Sequence, residues 1–200
     1  ADVLRMFNVT AREVCEGQQS DMAFETRDDV TVEEYVGMIR LKTSVLLAAS
    51  AAMGARSAGA SQARVEAWYR YGLNVGLAFQ IQDDFLDTFG ASGATGKQVG
   101  GDILADKKTL LWLTTQASEE GRKALEPWVG LTPASGTDQG EAKVAAVRAA
   151  MVAAGADQEA QRRMADHVNE AMAALDVLGL TPETAEWFAG LAKHVISRSH

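Results

Sequence analysis

Gln80, Asp83, Asp84 and Asp87 stand at i, i+3, i+4 and i+7 in the stretch 72–87. On a helix, that spacing gathers three carboxylates and an amide on one face. Two carboxylates about 5 Å apart repel by roughly 3 kcal/mol at an effective dielectric near 20. The rest of the stretch, Val75, Leu77, Phe79, Ile81, Phe85 and Leu86, is too apolar for a solvated surface. A hard divalent cation offsets the repulsion. Oxygen donors with no Cys or His nearby select Mg²⁺ over zinc, and Mg²⁺ shares its shell with phosphate oxygens, so the chemistry indicated is that of a metal-bound phosphate ester. Asp-Asp-x-x-Asp also occurs as an ordinary acidic helix end. The context here is more specific: Gly72 and Gly76, four apart, admit close approach of another helix, and a loop rich in glycine and carrying Lys97 follows.

The elements that must position this face are helical. The pattern predicts a helix over 2–24 whose inward stripe, Leu4, Phe7, Ala11, Val14, Gln18, Asp21, begins apolar and ends polar. Gln18 and Asp21 on such a stripe need partners, or mark a helix end emerging into solvent. After a charged connector over 25–30, Thr31-Val32-Glu33-Glu34 reads as a capping box, with Val30 and Tyr35 as a hydrophobic staple. The helix to about residue 53 then aligns Tyr35, Met38, Ile39, Lys42, Val45, Leu46, Ala49 and Met53. Lys42 interrupts that face, either snorkelling outward or serving a site.

A Gly/Ala/Ser turn over 54–61 leads to the long helix 62–88, with Val65, Trp68, Tyr69, Gly72, Gly76 and Phe79 on its buried side. The stripes of three successive helices are thus broken by polar residues, and one shared cavity is the economical expectation. The loop 89–101 is no nucleotide P-loop, because Ala91 replaces its first glycine and Gln98 follows Lys97. It reads as a flap or as a plain linker. A helix over 104–117, a looser stretch over 119–139 and scaffold helices over 141–154, 158–178 and 182–197 complete the chain. His167, His194 and His200 have no ligand spacing.

Two hundred residues suit a single all-α domain over 1–200, and a net charge of -8 argues against a general nucleic-acid binder. No run approaches about 18 uninterrupted apolar residues, so no membrane span is expected. The one cysteine, Cys15, cannot form an internal disulfide, which suits a reducing cytoplasm.

Residues 79–87 (Phe-Gln-Ile-Gln-Asp-Asp-Phe-Leu-Asp), with Gly96-Lys97-Gln98-Val99-Gly100-Gly101-Asp102 and Lys107-Lys108-Thr109-Leu110 downstream, resemble the second aspartate-rich motif and diphosphate-binding lysines of the trans-isoprenyl diphosphate synthases. Gly17-Gln18-Gln19-Ser20-Asp21 and Lys42-Thr43 are similar to that family's Gly-Gln-x-x-Asp segment and Lys-Thr pair. Asp106 stands where the family usually has glycine and Leu111 where it commonly has proline, which leaves open whether Lys107 or Lys108 faces the site.

The resemblance implies an isoprenoid synthase-type helical bundle lacking the N-terminal helices, since it covers about the C-terminal two-thirds of a typical member. It implies a prenyltransferase that condenses isopentenyl diphosphate with an allylic diphosphate by Mg²⁺-assisted ionisation, in a homodimer. Asp83, Asp84 and Asp87 would ligate Mg²⁺, Asp83 directly; Gln18, Lys42, Lys97 and Lys107 would hold diphosphate; Gln80 would orient them and Thr43 would stabilise the allyl cation. The first Asp-Asp-x-x-Asp of the family has no counterpart here, so the expectation is a chain inactive by itself. The alternative is a non-catalytic regulatory subunit or helical interaction protein of the same fold.

Overall fold

Abundant Ala, Leu, Glu and Arg and only three prolines favour helix throughout. The computed structural model describes residues 2–90 and 100–197, and no strand occurs among them. In order come α1 (Asp2–Phe24), α2 (Val32–Ile39), a π-turn (Arg40–Ser44), α3 (Val45–Ser57), α4 (Gln62–Phe89), α5 (Gly101–Leu104), α6 (Leu110–Gln116), α7 (Glu119–Leu125), α8 (Asp138–Ala153), α9 (Ala156–Asp176) and α10 (Pro182–Ser197). The described residues form two compact units, one from 2–23, Val36–Gln80 and 163–197, the other from Phe24–Tyr35 and the described part of 81–162.

In the first unit, Tyr71, Val75 and Ala78 of α4 join Val168, Ala171 and Leu175 of α9 and Ala192 and Val195 of α10 in one core. Tyr71 and Phe188 meet edge to face at 5.6 Å, and the Tyr71 hydroxyl donates to the Phe188 carbonyl at 2.8 Å. His167 belongs to this scaffold. It is half-buried, its Nδ1 lies 3.0 Å from Asn74 Oδ1, and burial pushes its pKa below the usual value.

The expected helix over 32–53 is interrupted. At residues 40–44 the backbone bonding lengthens by one residue, the Val45 N–H donating to the Arg40 carbonyl. The inserted residue carries the buried row from Tyr35 and Ile39 to Ser44, Ala48 and Ala52, and it turns Leu46, expected inward, out to 51% exposure. That row of small residues receives α4. A Cβ on Gly72 would lie 2.8 Å from Ala48 Cα, and one on Gly76 would lie 2.6 Å from Ser44 Cα. The close approach expected at this glycine pair is therefore used within the first unit, between α4 and the π-turn with α3, and is not free for another chain. The continuous run Val32–Ser57 is long and apolar enough, at mean hydropathy 1.3, to span a membrane by length and composition, although no such run was expected. Part of its apolar surface is the buried row Tyr35, Ile39, Ser44, Ala48 and Ala52.

Helix α1 has the expected length but a different inward line. Leu4 and Phe7 are 65% and 56% exposed, whereas Thr10, Gly17 and Phe24 are buried. Gly17 sets this rotation, because a Cβ there would lie 2.3 Å from the backbone nitrogen of Lys42. Only a glycine admits α1 so close to the π-turn.

In the second unit, α6 buries Leu110, Leu111, Trp112 and Leu113 and packs on α7 and α8. The Thr31/Glu34 capping box forms as expected, with the Thr31 N–H donating to Glu34 Oε2 at 2.9 Å and the Glu34 N–H to Thr31 Oγ1 at 3.1 Å. The stretch over 119–139, expected to be loose, contains α7. Its start is a cap that the sequence reading passed over, Ser118 Oγ accepting from the Gly121 N–H at 3.0 Å, and Leu125 anchors its end. The helix expected over 104–117 starts only at Leu110, as α6; residues 105–109 form a turn after α5, which begins inside the stretch expected as loop.

Candidate functional site

Helix α4 bears the acidic motif, but its residues are not equivalent. Asp83 is exposed and Asp84 is buried at 3% exposure. One oxygen of Asp84 accepts from the hydroxyl of buried Tyr35 at 2.6 Å, and the other lies 3.5 Å from Lys107 Nζ. Burial, then the Asp84 charge, raises the Tyr35 phenol well above its usual pKa, so it stays a donor. Asp87 accepts from the Asp102 N–H at 2.8 Å, capping the first turn of α5. Lys107 Nζ also approaches Asp102 Oδ2 at 3.2 Å.

Sequence reasoning left Lys107 and Lys108 unresolved. In the structure Lys107 turns to the carboxylates, and Lys108 lies over the Trp112 ring at 5.5 Å. Asp102 and Tyr35 join a group in which they were not expected. The signal for Tyr35 was its buried hydroxyl, which had to find a partner.

Electrostatically the group is unbalanced. Asp84 and Asp102 flank the Lys107 ammonium, Asp83 and Asp87 lie near enough to act on Asp102, and Arg148 is a further cation acting on Asp87. Burial and, secondarily, the neighbouring carboxylates raise Asp87 and Asp102 above the usual aspartate range, against the lowering effect of Lys107. Among the described residues no three carboxylate or imidazole side chains are already gathered around a common point as a metal cage. The donor set, all oxygen and in excess negative charge, nevertheless fits a hard divalent cation whose shell is completed by a ligand rather than by protein alone.

A separate polar group lies in the first unit, at the π-turn. Lys42 Nζ is 2.5 Å from Asp21 Oδ2, and Thr43 Oγ1 donates to Gln80 Oε1 at 2.8 Å. The π-turn thus presents consecutive residues to a carboxylate and to an amide, and π-turns recur at functional positions. Gln18, one turn before Asp21 on α1, is exposed. Lys97, the remaining expected diphosphate ligand, lies outside the described residues.

Residues 1–145 match the polyprenyl synthetase family model. The chain belongs to that family. Its polyprenyl synthetase relatives include the geranylfarnesyl diphosphate synthase of Natronomonas pharaonis, 36% identical over 191 residues, which cover 96% of this chain and 53% of that protein. Among solved structures, a geranylgeranyl pyrophosphate synthase superposes with a TM-score of 0.93 at 37% identity, covering 98% of this chain and 61% of that one. A geranylgeranyl pyrophosphate synthase from Corynebacterium glutamicum, complexed with isoprenyl diphosphate and magnesium, superposes with a TM-score of 0.85 at 28% identity, over 99% of this chain and 57% of that one. The all-α fold is that of these polyprenyl synthetase neighbours. The chain spans about half the length of the curated relative named above.

Proposed function

We propose that this chain is part of a trans-prenyltransferase that joins isopentenyl diphosphate to an allylic diphosphate. The observation that carries the reading is the acidic group: the carboxylates of Asp83, Asp84, Asp87 and Asp102, with Lys107 against two of them and Arg148 acting on Asp87, in a chain of the polyprenyl synthetase family. Such a group has room in its charge balance for Mg²⁺ and a diphosphate together. Mg²⁺ held by Asp83, with Asp84 and Asp87 direct or through water, would neutralise charge developing on the leaving diphosphate.

The residues then have distinct tasks. Asp83, exposed and with no side-chain hydrogen bond among the described residues, is open to a direct ligand. Asp84 is held in place by Tyr35. Lys107, Lys42, Lys97 and Gln18 would each hold diphosphate oxygens. The allylic carbon–oxygen bond breaks with its electron pair leaving on diphosphate. The isopentenyl double bond attacks the allyl cation, and the proton lost goes to the departing diphosphate. Gln80 orients Thr43 through their hydrogen bond, and Thr43 oxygen stabilises the cation. We further propose a homodimer, with the exposed apolar side chains of α1, Leu4, Phe7 and Met22, as one surface to be covered, and a reducing cytoplasm, which suits the free, exposed Cys15.

The sequence holds one Asp-Asp-x-x-Asp, half of the two-motif clamp implied by the resemblance. The expected result is that this chain forms little prenyl product from radiolabelled isopentenyl diphosphate and geranyl diphosphate, whereas the chain extended upstream in its own reading frame forms it readily. An extended chain that folds, binds no diphosphate and forms no product would favour the interaction-protein reading.

A further inference from the structure

Asp106 is the one non-glycine residue with positive φ among the described residues, at +50°. It occupies the left-handed position that closes a helix. The Asp106 N–H donates to the Ile103 carbonyl at 3.2 Å and the Lys107 N–H to the Asp102 carbonyl at 2.9 Å, the paired bonds that end α5. Glycine takes this conformation freely, whereas an aspartate takes it against its own Cβ and persists there only if its surroundings hold it.

Those surroundings are specific. Lys143, on α8, has a fully buried side chain whose ammonium lies 2.6 Å from Asp106 Oδ1. It also donates to the Leu131 carbonyl at 2.5 Å and the Leu104 carbonyl at 3.4 Å, so all three of its protons are used. The other oxygen of Asp106 accepts from the Gly130 N–H at 2.7 Å. The pair therefore ties the end of α5, the turn and the 130–131 loop to α8.

Residue 107 follows directly, and the backbone angles at 106 decide where it points. With 106 left-handed, Lys107 faces Asp84 and Asp102, and Lys108 falls on Trp112. A right-handed or extended 106 would redirect both. We propose that the buried Lys143–Asp106 pair is a positioning device that does the work of a glycine at 106 and so aims Lys107 at the carboxylates of Asp84 and Asp102. Its bearing on ligand binding rests on the reading that Lys107 serves a diphosphate; its bearing on the turn does not.

Two measurements on this chain separate those levels. Amide hydrogen exchange follows the turn without any ligand: Lys143→Met should speed exchange of the Lys107 amide by about tenfold or more, and Asp106→Gly/Lys143→Met, which leaves no buried charge and restores a residue suited to the backbone, should return it to the wild-type rate. Calorimetry with Mg²⁺ and inorganic pyrophosphate follows function. Lys107→Met should weaken binding about 10- to 100-fold, as expected for loss of a charged hydrogen-bond donor. Lys143→Met should reproduce most of that loss but add less than about twofold in the Lys107→Met background, because the two act in series.

The double variant Asp106→Gly/Lys143→Met should bind within about threefold of wild type, and it keeps the proposal testable if Lys143→Met alone does not fold. A slow Lys107 amide in Lys143→Met would overturn the proposal. So would an equal loss of affinity with and without Lys107, or a double variant that binds as weakly as Lys107→Met. Absence of pyrophosphate binding by the wild type would instead overturn the proposed function, and the exchange rates would still decide the lock.

Discussion

Replacing Asp83 by alanine in the upstream-extended chain is expected to lower turnover by about two to three orders of magnitude, because a metal ligand acts mainly where diphosphate charge develops in the transition state. The helices should remain intact, since Asp83 is exposed and its side chain makes no hydrogen bond among the described residues. Asp84→Ala should behave differently. It strips the partner from the buried Tyr35 hydroxyl and removes one of the two carboxylates beside Lys107, so it should reduce stability by about 1–3 kcal/mol as well as turnover. Radiolabelled product formation, with urea unfolding of the same samples, distinguishes the two. Wild-type turnover in Asp83→Ala would remove the assignment of Asp83 as a metal ligand.

What the sequence made legible, and what it did not, divides along physical lines. The spacing of Asp83, Asp84 and Asp87 placed them on one helix, and Gly72 with Gly76 announced a close helix contact; both signals are local and periodic. The partner of that contact was hidden, because a π-turn inserts a residue without any compositional mark. Leu46 was consequently assigned to the wrong side. Leu4 and Phe7 misled for another reason: apolar stripes indicate burial only where something is applied to them, and Gly17 determines which line of α1 is covered. Lys143 was readable in principle. It lies four residues before Val147 and eight before Met151, on the buried stripe of α8, and a lysine on that line needs a carboxylate. The departure at Asp106 from the family's glycine was the other half of the same signal, separated from it by 37 residues.

Gly17→Ala has an expected sign that tests the packing of α1 on the π-turn. In an exposed helix interior this change would stabilise by about 1 kcal/mol through helix propensity. Here the new Cβ would meet three backbone atoms of Leu41 and Lys42 within 2.8 Å, and backbone does not swing aside. A net loss of about 2 kcal/mol or more is expected, of the order seen when cores are overpacked. Displacement of α1 would also separate Asp21 from Lys42, so allylic diphosphate should bind more weakly. Urea unfolding monitored by circular dichroism measures the first effect, and a stabilised Gly17→Ala chain would show that the contact does not govern the position of α1.

The central claim is that the acidic group takes Mg²⁺ and diphosphate together, and titration calorimetry of this chain tests it most directly. The expected result is weak Mg²⁺ binding alone that tightens when inorganic pyrophosphate is present, and loss of that tightening in Asp83→Ala. Mg²⁺ binding that is indifferent to pyrophosphate, or tight Zn²⁺ binding with no pyrophosphate present, would contradict it.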